Sequence, residues 1–317
     1  AEQIRDDGLV LAGLVQGCQP RLYQGRFAES VERGGRAITL HDPTRHRTLA
    51  FRFGTDQGVV SRGFVTWGLW MLGHPDRALA RAQEAVALAR TLAHPFSLGF
   101  ALFWETVVHW LRGHGQMQRK RAREVIALSE AQGFPLWLGL GRAFRAEGAG
   151  AVTEVVEGLA QAAGTGNQGG VTALLAWLAE TQVAAGQHAE ALGTIQTGLA
   201  IGAQRGEHYF EAELHRLQGQ VVLALQPGSE TEAERLFRRA LEIAGGQEAR
   251  SLELRAAVSL ALMLAARGRR TEARALLAPI YDWFTEGFDT RDLVQARALL
   301  ADLAAQAGEP QRNLTVE

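Results

Sequence analysis

Small and apolar residues recur along this chain at i, i+4 and i+7. In DRALARAQEAVALAR they are Ala78, Ala82 and Ala85; in AEALGTIQTGLA, Ala191, Ile195 and Gly198. EAERLFRRALEIAGG carries Ala233, Phe237 and Ala240, and TEARALLAPIYDWF carries Ala273, Leu277 and Ile280. This spacing puts one buried stripe on an α-helix. A glycine-containing turn precedes each segment (LGHP, AGQH, LQPGS, RGRR), and a second apolar helical run precedes each turn, as in GVVSRGFVTWGLWML and SLELRAAVSLALMLA. The unit is helix, short turn, helix. Equivalent positions such as Ala233 and Ala273 lie about 40 residues apart, a period that marks a helical-repeat array.

The predicted fold is all-α: a TPR-like α-solenoid, a right-handed superhelix of roughly seven helical hairpins with RDLVQARALLADLAAQ, from Arg291, as a capping helix. One solenoid domain spans residues 1–307, and 308–317 form a polar, mobile tail. The small-x3-aromatic-x2-small pattern at Ala233, Phe237 and Ala240 matches the tetratricopeptide signature. Gly219 suits the position where close helix contact needs a small residue. The unit near 134–170 is expected to be kinked or irregular. Glycines interrupt LGLGRAFRAEGAGAVTE, and each interior helical glycine costs about 1 kcal/mol relative to alanine. Only TLAFRF, from Thr48, hints at a strand.

Composition narrows the chemistry. The chain has 317 residues, 47% of them hydrophobic, which is ample for a core, and a net charge of −1, which gives no broad attraction to nucleic acid. Lys120 is the sole lysine and lies in RKR, so no Walker A loop exists. Cys18 is the sole cysteine, which excludes an intrachain disulfide framework and fits a reducing, cytoplasmic setting. GLVLAGLVQG is too short to span a membrane and lacks a basic leader. The chain starts without Met, and a fragment of something larger is expected.

The segments HDPTRHRTLAFRFGTDQGV, GHPDRALARAQEAVALARTLAHPFSLGFALF, GFPLWL, FEAELHRLQGQVVLAL and SLELRAAVSLALMLAARGRRTEARALLAPIYDWFTEGFDTRDL carry a family resemblance. They resemble the C-terminal tetratricopeptide-like region of large bacterial signalling proteins, in which a class III adenylate/guanylate cyclase domain and a signal-transduction ATPase precede the repeats. The likeness covers nearly the whole chain and is most specific over 210–293; the Gly-rich run at 145–170 departs from it. The resemblance implies that cyclase and ATPase chemistry lies upstream. It does not identify what the repeats bind.

Several clusters invite a functional reading. His41, Asp42, His46 and Asp56 have metal-ligand chemistry, but Pro43 and the following glycines read as a helix stop and turn, and Asp56 suits an N-cap. The structural reading is preferred there, with His46 and Arg52 as alternative partner-facing residues. His208, Glu211 and His215 share one helical face; polar inter-repeat contacts are favoured over a metal face, and His215 is also placed to line the groove. GTGNQG satisfies G-x-G-x-x-G, but a helix precedes it where the dinucleotide motif needs a strand. Trp67, Trp70, Trp104, Trp110, Trp137 and Trp177 fall on first helices, which line the concave face of a solenoid. Burial is the favoured reading of each, with aromatic anchoring of a ligand as the alternative. Arg62, Arg142 and Arg255 are first-helix candidates for orienting a charged ligand, and His109 joins the same groove.

No catalytic residue, cofactor or metal is assigned. The expected function is a non-catalytic protein-binding or regulatory arm. Its partner is a protein or peptide segment, including upstream domains of the same polypeptide. The alternative is a solenoid that senses a small molecule. A sensor requires a closed pocket and a scaffold requires an open groove.

Overall fold

The computed structural model describes residues 6–305, and within them the chain is helical with no strand. The N-terminal unit comprises α1 (Asp7–Gln16), α2 (Cys18–Tyr23) and α3 (Phe27–Leu40). TLAFRF forms no strand; α4 (Leu49–Phe53) is a single helical turn closed by Gly54 in the left-handed region. Antiparallel hairpins follow: α5 (Gln57–Met71) with α6 (Pro75–Leu92), α7 (Pro95–Arg112) with α8 (Gly115–Gln132), and α9 (Pro135–Arg145) with α10 (Ala151–Ala163). Next come α11 (Val171–Ala184) with α12 (His188–Arg205), α13 (Glu211–Leu225) with α14 (Glu230–Gly246), and α15 (Arg250–Ala266) with α16 (Arg270–Asp282). The last described helix, α17 (Arg291–Ala305), packs on α15 and α16 as the expected cap. The chain is an all-α, TPR-like solenoid. The polar tail at 308–317 lies outside the described residues.

A recurrent local device sets the turns. A left-handed residue ends one helix or turn, one residue follows, and the next helix begins, often on proline: Gly73-His74-Pro75, Ala93-His94-Pro95, Gly133-Phe134-Pro135. Proline suits the first helical position, where its missing N–H has no intrahelical partner, and glycine suits positive φ. Ala93 holds φ 50° in the slot that glycine fills elsewhere.

Glycines also set the closest helix contacts. A Cβ on Gly139 would lie 2.5 Å from the Gly158 carbonyl oxygen, and one on Gly158 would lie 2.5 Å from the Gly139 oxygen. Helices α9 and α10 are a short pair crossing backbone to backbone, with a 3-10 turn at Gly148–Gly150 between them. A Cβ on Gly219 would meet the Phe237 ring at 2.6 Å, so the tetratricopeptide pair read from the sequence is in contact.

The array curls until its beginning meets its later units. The Tyr23 carbonyl accepts from the His208 N–H (2.7 Å) and the Tyr209 N–H (3.1 Å). Arg112 bonds Asp289 and Asp76, and the Glu286 carboxylate accepts from the free amides of Asp76 and Arg77 at the start of α6. Helices α5 and α15 touch directly. One core cluster consequently runs from Leu11 to Leu252, and a second from Ala233 to Leu303.

Candidate functional site

The curl brings the connection before α13 against α5 and α7 and packs their aromatic residues. Trp67 meets Trp104 edge to face with centroids 4.7 Å apart, and it also contacts Tyr209 and Phe210. Trp110 reaches Trp177 and Phe210, and Trp177 stacks on Phe144 at 4.0 Å. Within this cluster lies a cavity of about 140 Å³, walled by Phe64, Trp67, Phe100, Phe103, Trp104, Trp110, Trp137 and Phe144. Gln19, Tyr23, Asn167, Gly169, Gly170 and Tyr209 supply its polar border. The glycines of GTGNQG therefore serve an interhelical loop beside a cavity that holds no charged wall residue.

Polar groups here are sparse and underused. Tyr209 is 1% exposed, and its hydroxyl lies beside Thr172 and the Ala173 amide without hydrogen-bond geometry to either. Burial, then the nearby Tyr23 and Glu207, push its pKa well above the ordinary tyrosine value, so it stays a neutral donor. Tyr23 is raised in the same sense by burial, against a hydrogen bond from the Gln19 amide at 3.0 Å. The indole N–H groups of Trp67, Trp104 and Trp137 also lack partners among the described residues. The pyrrole edges of Trp104 and Trp137 rest over Gly63 and Gly99, where a Cβ would intrude.

The other candidates do not complete one groove. Arg255 belongs to a buried ionic network: it bonds Asp292 at 2.7 Å, Glu213 at 3.2 Å and the Leu111 carbonyl at 3.2 Å, and it lies 5.0 Å over the Trp70 ring. Glu213 also accepts from Arg216 Nε and Nη2, each at 2.8 Å. Burial raises the Glu213 carboxyl, but Arg216 and Arg255 outweigh it and hold it at about 2. This network borders a second cavity, about 230 Å³, with Glu180 and Arg291 at its edge. Its charges are mutually satisfied, so Arg255 and Trp70 serve closure of the array.

His208, Glu211 and His215 do come together at a third cavity of about 210 Å³, with His208 Nδ1 2.9 Å from Glu211. No group of three or more His, Cys, Asp or Glu suited to a metal occurs among the described residues. Arg62 is turned back to the Gly58 carbonyl, and Arg142 reaches Gln161 and Glu130 on the outer side. His109 is buried 3.8 Å from Glu105, which Arg121 also approaches at 3.0 Å. The residues read as one groove thus stand at separate places in the fold. Closure directs Trp67, Trp104 and Trp137 to the aromatic cavity and leaves Arg62, Arg142 and His109 in contacts within or between neighbouring hairpins.

Several polar groups of the segment 41–56 bond within the fold. Asp56 caps α5 by accepting from the Val59 N–H and lies 3.2 Å from His41 Nε2. Burial raises the pKa of the Asp56 carboxyl, but His41 and the helix amides outweigh it and hold the carboxyl below its ordinary value. His46 is buried and accepts from the Asp42 N–H. Sequence reasoning missed Tyr23 and Tyr209, which lie near turns without helical periodicity, and the phenylalanines of the wall, which read as ordinary core.

No family model and no curated protein matches this chain. Among solved structures, it is similar to a Rap protein complexed with competence and sporulation factor, with a TM-score of 0.41 and 13% identity over 95% of this chain and 67% of that one. It is also similar to the P58(IPK) TPR domain, with a TM-score of 0.34 and 11% identity over 95% of this chain and 80% of that one.

Proposed function

We propose that this chain is a non-catalytic regulatory binding module, whose aromatic cavity receives a compact apolar group and whose closure responds to occupancy. The observation that carries this reading is the position of the cavity. Its border joins Gln19 and Tyr23 of the first unit to Asn167, Gly170 and Tyr209 of later units. A ligand seated there contacts both sides of the closure and favours the closed array to the extent that it binds that state more tightly. The small, concave, aromatic walls favour a small molecule over an extended peptide along an open groove. The family resemblance adds a setting: a C-terminal arm of a multidomain signalling cyclase or ATPase, in which closure alters contact with upstream domains.

A thermal-shift screen of small metabolites, run beside capture of the upstream modules, tests the reading. Val107 lines the cavity, and Val107→Phe fills it. Stabilisation or ligand-dependent capture that this variant abolishes supports the proposal. Responses that survive it place binding elsewhere and refute the role of the cavity.

A further inference from the structure

We infer that the cavity takes an uncharged, flat aromatic molecule of one or two fused rings that offers a hydrogen-bond acceptor to the Tyr209 hydroxyl. This rests on the cavity being the binding site and adds the chemistry of its ligand.

Size sets the first limit. The volume of about 140 Å³ is close to the roughly 150 Å³ apolar cavity that holds benzene. The cavity is partly open, which leaves room at its mouth for a second ring. Charge sets the next. No Arg, Lys, His, Asp or Glu lines the cavity, so a carboxylate or ammonium would lose its hydration with no partner. The walls select shape: Trp67 and Trp104 stand at 82°, and Phe100 and Trp137 at 85°, which presents both faces and edges to a flat ring.

Tyr209 supplies the directional element. A Cβ on Gly170 would lie 3.3 Å from the Tyr209 hydroxyl, and one on Gly169 would lie 2.8 Å from the Tyr23 hydroxyl. The two glycines thus keep side chains off both hydroxyls beside the cavity border. Tyr23 already receives the Gln19 amide, whereas the buried Tyr209 hydroxyl has no partner. A buried donor left unmade is costly, so a ligand acceptor that satisfies it gains specificity as well as affinity.

Calorimetric titration of the full chain with quinoline, naphthalene and 2-naphthoate tests this. Quinoline should bind once per chain, about fivefold tighter than naphthalene, the worth of one net hydrogen bond, and 2-naphthoate should not bind in that range. Tyr209→Phe should bring quinoline to the naphthalene level and leave naphthalene unchanged; Val107→Phe should abolish both. Equal binding of 2-naphthoate overturns the inference in the unsubstituted protein, even if a variant fails to fold. A quinoline preference that survives Tyr209→Phe also overturns it. Binding of an aromatic peptide or an aliphatic metabolite, but of none of these probes, overturns the ligand class while leaving the cavity as the site.

Discussion

The Ser251 hydroxyl donates to the Trp70 carbonyl at 2.5 Å, between residues 181 apart in the chain. The contact joins the end of α5 to the start of α15. Neither residue belongs to a neighbouring repeat of the other, so nearest-neighbour stacking alone does not produce it. The same closure carries Arg255 over the Trp70 ring and onto the Leu111 carbonyl.

Removing the charge at the centre of the closure should be severe. Arg255→Ala leaves Glu213 and Asp292, both largely buried, with less compensation. A loss of about 3–5 kcal/mol in urea unfolding is expected, the usual result of stripping one partner from a buried ion pair.

Acid should act through the same network. Glu213 is held at about 2 in the folded chain, below its ordinary value of 4.5, so its contribution is present above pH 4.5 and is lost as pH falls towards 2. Unfolding free energy measured from pH 6 to pH 2 should decline, and Glu213→Gln should flatten that part of the decline.

Glycine substitutions should divide by surroundings. Gly139→Ala drives a Cβ against the Gly158 backbone and should destabilise by about 1–3 kcal/mol. Gly35→Ala, inside α3 and facing open space, should stabilise by about 0.5–1 kcal/mol. Ala93→Gly relieves a left-handed alanine and should gain up to about 1 kcal/mol, after the added freedom of the unfolded chain is subtracted. Thermal unfolding of the three variants checks these signs together.

The hairpins were legible in the sequence because period and turn chemistry are local, and so was the Gly219–Phe237 contact, which the repeat signature encodes. The cap at Asp56 was legible for the same reason. The cavity was not. Apolar periodicity reports that a helix face is buried, but not whether a neighbour or a distant unit covers it. Trp67 and Trp177 carry the same sequence signal, yet one borders the cavity and the other stacks on Phe144. Tyr23 finds Tyr209 only because the array curls, and that curvature accumulates from small rotations at every hairpin, including the glycine crossing of α9 and α10.

Closure around the cavity is the central claim, and hydrogen exchange at the His208 and Tyr209 amides tests it most directly. Both lie between α12 and α13 and donate to the Tyr23 carbonyl rather than to a carbonyl of their own helix. Exchange slowed to the level of adjacent helical amides in α13 is the result expected of a closed array. Exchange at the rate of a free loop, with α12 and α13 still protected, would contradict it.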